Sequence, residues 1–303
     1  MSGQRLLSGP ALNAGPESFS AHATRLGPLP QTGRDLIDTI ERSGLTGRGG
    51  AGFPVGVKWR AAAARRPEVL VVNGAEGEPH SKKDRLLMST RPHLVLDGAL
   101  LAARAVRAKE IVLYLGENHV AARAAMERAL LERPESERRS FRTLPAPARY
   151  VAGDSNAAVG FVTSGVALPT NSPAAPALVQ NVETLAHVAL IARSGRPTGT
   201  ILVTMAGGVK HTGVLEVETT TTIGQAIAWA GGTPEPARAV LLGGYFGAWI
   251  DAEQAQGLPL DPQALRALGL SLGCGVIGIL PTSHCPVCET AGIMRYLAGE
   301  SSA

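Results

Sequence analysis

Two short runs, 68–72 (Glu-Val-Leu-Val-Val) and 110–115 (Glu-Ile-Val-Leu-Tyr-Leu), constrain what this chain can fold into more than any other feature. Each is apolar on both faces of an extended backbone, so it has to be covered from both sides, as in a parallel sheet layered between helices. Helical spacing recurs around them, at 34–42, 57–66, 93–106, 119–131 and 181–194. Helix and strand alternate, so the first part of the chain is expected to be α/β with a largely parallel sheet. From residue 200 the pattern shortens. Strands at 201–206, 214–217 and 239–242 surround a helix at 223–230, the succession of a small β-grasp or ubiquitin-like module. A helix at 261–268, a strand at 275–280 and a helix at 287–297 follow. The expected organisation is a loosely ordered arm over 1–33, an α/β domain over 34–198, a β-grasp domain over 199–247, and a short α/β segment over 248–303 that packs back.

Composition removes several classes. Hydrophobic residues at 45% and charged residues at 18% exclude a disordered chain. A scattered net charge of +4, with Phe 5, Trp 3 and Tyr 4, supplies neither a basic block nor stacking platforms, so nucleic acid is not an expected partner. The three cysteines, Cys274, Cys285 and Cys288, suggest no disulfide framework and fit a reducing cytosol. The first 30 residues do not read as a secretory signal and no apolar run reaches ~18 residues, so the expected place is cytoplasmic, either free or peripheral to a membrane complex, without direct membrane insertion. Gly 36 and Pro 21 are in excess, and the excess sits in a glycine loop at 47–56, an acidic turn at 74–79 and a long segment at 145–176 read as a loop.

The loop Gly47-Arg48-Gly49-Gly50-Ala51-Gly52 spells the dinucleotide fingerprint G-x-G-x-x-G. That fingerprint follows a strand and opens a helix, whereas here a helix leads in and Phe53-Pro54 follows, so a Rossmann dehydrogenase is disfavoured. The glycines still leave backbone amides bare to a flat or phosphorylated ligand. Arg48 and Lys58 flank them with cations suited to phosphate, and Phe53 offers a ring for stacking. Beyond the first strand, Asn73, Glu76, Glu78 and Asp84 follow its carboxyl end, the edge at which open α/β sheets bind ligands. A solvated acidic turn is the alternative reading of that cluster.

Taken together, S-G-L-T-G-R-G-G-A-G-F-P-V-G-V-K-W at 43–59, V-V-N-G-A-E-G-E-P-H-S-K-K-D-R at 71–85 and N-V-E-T-L at 181–185 resemble the FMN-carrying flavoprotein subunit of respiratory complex I, whose relatives include subunits of NAD-reducing hydrogenases and formate dehydrogenases. The stretch from residue 200 looks like that family's SLBB domain. The resemblance implies an FMN-dependent oxidoreductase that passes electrons from NADH or NADPH to an iron–sulfur or ferredoxin-like partner. By motif match, Gly47, Arg48, Gly49, Gly50, Ala51, Gly52 and Lys58 would line FMN, with Asn73, Glu76 and Asn181. Phe53 and Glu78 would face the nicotinamide nucleotide, and the flavin would carry the chemistry, so no side chain is expected as acid or base.

The chain departs from the family pattern in four places. Ala75 stands where an acid is usual, and 150–157 keeps one carboxylate of Y-x-x-G-E-E-T-A, leaving Tyr150, Gly153 and Asp154 as further cofactor-site candidates. Arg60, Ala61 and Ala62 replace an aromatic after Trp59. The sequence reads Ala298-Gly299-Glu300-Ser301-Ser302-Ala303 where family members begin the H-E-S-C-G-x-C-x-x-C segment of a four-iron cluster, so a 4Fe-4S cluster is not expected on the chain as it stands. A non-catalytic flavin-binding or scaffold subunit of a larger redox complex is the alternative function. Cys285-Pro286-Val287-Cys288 is read as small buried thiols, with a redox pair or half a metal site as the other readings, and no metal ligand set is assigned.

Overall fold

The structure, a computed structural model, describes residues 5–167 and 177–301. It divides into two compact units. One comprises Met1–Gly47, Phe53–Gly77 and Asp84–Thr198, and the other Arg48–Gly52, Glu78–Lys83 and Gly199–Ala303.

The first unit runs α1 (Phe19–Leu26), α2 (Leu36–Arg42), α3 (Val55–Arg65), β1 (Val69–Gly74), α4 (Lys83–Thr90), α5 (Pro92–Val106), β2 (Glu110–Gly116), α6 (Val120–Leu131), α7 (Glu135–Arg138), β3 (Phe141–Ala146), α8 (Ser155–Ser164), β4 (Ala177–Asn181) and α9 (Val182–Ser194). Its four strands are all parallel, in the order β3-β2-β1-β4. The two apolar runs form β1 and β2, where Leu70, Val71, Val72 and Leu113 are fully buried, as strands covered on both faces require. Helix α5 is buried at every position but Arg104 and lies against α9. The close approach is made at Gly98, where a Cβ would stand 1.9 Å from the Leu185 carbonyl oxygen.

This unit differs from the sequence reading in several parts: β3, β4 and α4 are not expected from the sequence pattern, and two longer stretches are organised differently. The N-terminal stretch is not a loose arm. Leu6 is fully buried, the Arg91 guanidinium donates to the carbonyls of Leu7, Ser8 and Pro10, and α1 inserts His22 beside Asp97 at 2.8 Å. The contacts that fix it are charged and polar, so they leave no apolar period to read. The segment at 145–176 is not wholly a loop either. A 3-10 turn, Val151–Gly153, leads into α8, whose first turn is capped by Asp154 accepting from Asn156 N (2.7 Å) and Ala157 N (3.1 Å). Residues 168–176 of that segment lie outside the described residues.

The second unit runs β5 (Thr200–Gly207), β6 (Gly213–Glu218), α10 (Ile223–Trp229), β7 (Ala237–Leu242), β8 (Ala248–Asp251), α11 (Ala252–Gln256), α12 (Pro262–Ala267), β9 (Val276–Pro281) and α13 (Pro286–Ser301). Its sheet has the order β6-β5-β9-β7-β8. Strands β5 and β9 are parallel and the other neighbours antiparallel, the mixed sheet of a β-grasp module. The sequence pattern puts 275–280 in a separate segment after residue 247, but β9 is the central strand, with Ile277 and Ile279 packed among Val203, Met205, Val240 and Ile223. Helix α10 is fixed at its start by a capping box in which Thr222 and Gln225 exchange side-chain to backbone hydrogen bonds. Among the described residues no helix is long and apolar enough to cross a membrane.

Candidate functional site

In an open parallel sheet the ligand crevice lies outside the carboxyl ends of the strands, where the chain order reverses. Here β2 and β3 lie to one side of β1 and β4 to the other, so the reversal falls between β1 and β4. At that point Asn73 and Asn181 stand side by side in register at the last turns of their strands. Asn181 caps α9, its Oδ1 accepting from Glu183 N at 3.0 Å and Thr184 N at 3.4 Å, while its Nδ2 donates to Asp84 Oδ2 at 2.6 Å. Asn73 donates through Nδ2 to the Gly153 carbonyl at 2.9 Å.

The acidic turn folds onto the same edge. Glu76 takes φ +42°, a left-handed conformation uncommon for a side-chain-bearing residue. That conformation aims its buried carboxylate at the start of α4, where it accepts from Asp84 N (2.8 Å), Arg85 N (3.0 Å) and Arg85 Nε (3.0 Å). Placing a carboxylate at a helix N-terminus satisfies two otherwise unpaired amides and complements the dipole. Gly77 passes the Tyr150 carbonyl so closely that a Cβ would lie 2.5 Å from its oxygen, and Gly153 lies next to Gly77. Asn73, Glu76, Tyr150, Gly153 and Asn181 are therefore brought together, whereas Asp154 is spent on capping α8 and is exposed. Lys58 reaches the middle of β4 from α3, donating to the Val179 carbonyl at 2.7 Å, and burial holds its pKa below the ordinary lysine value.

The glycine loop is a five-residue excursion closed at its base by an antiparallel bridge between Thr46 and Pro54, with Gly47 N donating to Phe53 O at 2.9 Å. No strand precedes it, as its sequence context indicates. Gly50 has φ +117°, which requires glycine, and a Cβ there would meet nothing within 4 Å. The N–H groups of Gly49, Gly50 and Ala51 find no partner among the described residues. Such uncommitted amides beside open space are donors suited to a phosphate. Phe53 is 52% exposed. Arg48, Gly49, Gly50, Ala51, Gly52 and Glu78 belong to the second unit, where Arg266 Nη2 donates to Gly52 O at 3.0 Å and buried Glu78 accepts from Tyr245 N at 3.0 Å.

Two further residues at this edge, His119 and Arg85, are not among the site residues expected from sequence. His119 follows the carboxyl end of β2, is 7% exposed, and bonds the backbone of Gly74; burial, then the Arg85 charge, lower its pKa. The same edge rule that marks Asn73 could have marked it.

These features define a class, a chain with an open parallel α/β sheet, a glycine loop of uncommitted amides and a mixed β-grasp sheet. Residues 40–190 match the Nuo51 FMN-binding domain and residues 202–244 the SLBB domain. The chain belongs to the family of the complex I flavoprotein subunit. It is 28% identical over 302 residues to an NADH-quinone oxidoreductase subunit of Rhizobium meliloti, covering 88% of this chain and 72% of that protein. It is 33% identical over 228 residues to a subunit of the ion-translocating oxidoreductase complex of Pseudomonas aeruginosa, covering 73% of this chain and 29% of that protein. An NAD+-reducing [NiFe]-hydrogenase structure in the H2-reduced state superposes with a TM-score of 0.77 at 26% identity, over 90% of this chain and 51% of the hydrogenase chain. The chain thus spans about half of that solved chain.

Proposed function

We propose that this chain is an FMN-dependent oxidoreductase that takes electrons from NADH or NADPH and delivers them to an iron–sulfur or ferredoxin-like protein of a larger complex at the cytoplasmic side of a membrane. The observation that carries the proposal is the set of uncommitted amides at Gly49, Gly50 and Ala51 within a stretch that matches an FMN-binding domain. The flavin-binding domain is taken as 34–198. By the sequence match, the bare amides and Arg48 would suit the coenzyme's phosphate, and half-buried Lys58 is a further cation. Asn73, Asn181, Tyr150 and Gly153 would form the polar wall for its ribityl chain and ring. Glu76 serves by holding α4 in place, since its carboxylate is already engaged there. Phe53 and Glu78 are the proposed contacts of the nicotinamide nucleotide. FMN, when bound, supplies the hydride and one-electron chemistry, and the chain orients it and excludes water.

The test is anaerobic reconstitution with FMN, followed by addition of NADH or NADPH while the flavin absorbance is recorded. Bleaching by either nucleotide is expected; a protein that binds FMN and stays inert to both is instead the scaffold subunit. Gly50→Ala, which imposes a side chain on φ +117°, strains the loop backbone even though the added methyl meets open space, and should weaken FMN binding at a cost of about 1–3 kcal/mol in stability.

A further inference from the structure

The Cys285-Pro286-Val287-Cys288 motif is not used by the flavin reading, and the structure overturns the expectation of small buried thiols: both cysteines are free and exposed. The Cys285 carbonyl accepts from Glu289 N at 3.1 Å, so Cys285 is the capping residue of α13, a 16-residue helix, and Pro286 occupies the first helical position, where its missing N–H costs nothing. The amides of Cys288 and Val287 and the Cys288 thiol, all in that first turn, favour the ionised form of the Cys285 thiol. The Arg238 guanidinium, anchored on the Thr282 carbonyl at 2.9 Å, adds a positive field. Those groups, the Cys288 amide first, and that field hold the Cys285 thiol below its ordinary pKa. Its hydrogen bond and charge push Cys288 the other way.

The two sulfurs are thus unequal in the way that thiol–disulfide exchange uses: one is readily ionised at a helix start, and the other is protonated, adjacent and held in reserve. A metal site fits less well. Among the described residues no group of three or more His, Cys, Asp or Glu side chains converges on a common point, and His284 Nδ1 is engaged with Ser283 Oγ at 3.1 Å.

We propose that Cys285 and Cys288 form a redox-active dithiol that exchanges with small-molecule disulfides, Cys285 attacking and Cys288 resolving. In the first step the Cys285 thiolate attacks one sulfur of the disulfide, forming a mixed disulfide and expelling one thiolate. Cys288 then loses its proton, attacks the Cys285 sulfur and expels the second thiolate. The two protons released by the cysteines are taken up by the two leaving thiolates. Two electrons pass from the protein dithiol to the small disulfide. Residues three apart on a helical turn have Cβ atoms about 5–6 Å apart, so closing the bond asks for a small adjustment of the first turn.

The experiment equilibrates the whole chain in glutathione buffers running from reduced to oxidised, quenches with an alkylating reagent and maps the products by mass spectrometry. Expected is the joint loss of alkylation at Cys285 and Cys288, joined to each other within one chain, while Cys274, whose thiol donates to the Gly243 carbonyl at 3.2 Å, stays outside the pair. Cys288→Ser should stop at a single glutathione on Cys285, and Cys285→Ser should leave Cys288 largely unreacted. In the reduced protein Cys285 should alkylate faster than Cys288, on the order of tenfold. Both thiols remaining open to alkylation at every glutathione ratio, or oxidation that links two chains instead of one turn, would overturn the assignment. Both positions are exposed, so the serine variants test chemistry and not folding.

Discussion

Replacing Gly98 with alanine tests the packing that holds the site. The added methyl would lie 1.9 Å from the Leu185 carbonyl oxygen, 2.4 Å from the carbonyl carbon and 2.9 Å from Cα, whereas Cβ atoms do not approach other heavy atoms within 3.0 Å. Helices α5 and α9 must therefore separate by about 1 Å. The obstacle is backbone, and both helices are buried along their contact, so no flexible side chain can yield. Overpacking of this kind costs roughly 1–3 kcal/mol, and a backbone obstacle argues for the upper end, about 3 kcal/mol. At ~2–4 °C per kcal/mol for a unit of this size, the melting temperature should drop by roughly 6–12 °C. Because Leu185 lies one turn from Asn181, FMN retention should fall as well. Thermal unfolding followed by circular dichroism, with and without FMN, reads both effects. Gly292→Ala on exposed α13, where an added methyl meets nothing within 4 Å, is the control and should lower neither. A melting temperature for Gly98→Ala within about 1 °C of the parent would refute the close crossing of the two helices.

Asn181→Ala removes both the cap of α9 and the partner of Asp84, which should cost about 1–3 kcal/mol and weaken FMN binding, as read by urea unfolding and flavin fluorescence. Acid should destabilise the first unit in two stages. Burial, then the Arg133 charge, push His93 down to about 4 from 6.5, and hydrogen bonds from Arg25 and His22 outweigh burial to bring Glu17 from 4.5 to about 2. Both folded values are depressed, so the unfolded chain binds more protons: stability is whole above about pH 6.5, begins to fall as His93 is forced to charge, and falls further from pH 4.5 towards 2. Glu17→Gln should flatten the lower stage and cost about 2–3 kcal/mol at neutral pH; unchanged melting temperatures between pH 7 and 4 would contradict the assignment.

The two central strands of the parallel sheet are legible in sequence because β1 and β2 must be apolar on both faces, a property each residue carries by itself, whereas β3 and β4 are not. The glycine loop and Asn73 are legible for a related reason, since bare backbone and a strand's carboxyl end are local features. What escapes reading depends on partners distant in sequence. Strand β9 is central in its sheet because it pairs with β5 and β7 at once, and nothing within 276–281 announces two neighbours instead of one. Helix α8 hides because Ser-Asn-Ala-Ala-Val-Gly is small and weakly periodic, so the Asp154 cap is its clearest start signal, and that same residue reads equally well as a ligand group.

The acids show why a motif underdetermines a site. Glu76, Asp84 and Asp154 all lie in stretches where a carboxylate is plausible for a ligand, and the sequence presents them alike. Folding separates them by what their oxygens already hold: Asp154 the amides of α8, Glu76 those of α4 and the Arg85 guanidinium, Asp84 the amide of Asn181. Glu76, its carboxylate buried and holding three donors, has least left to offer a coenzyme, because freeing it would strand them. The groups with unspent capacity are instead the amides of Gly49, Gly50 and Ala51, which carry no side-chain signature beyond the glycines. In the proposed site the phosphate is therefore met first by backbone donors, while Glu76 of the acidic turn holds the start of α4.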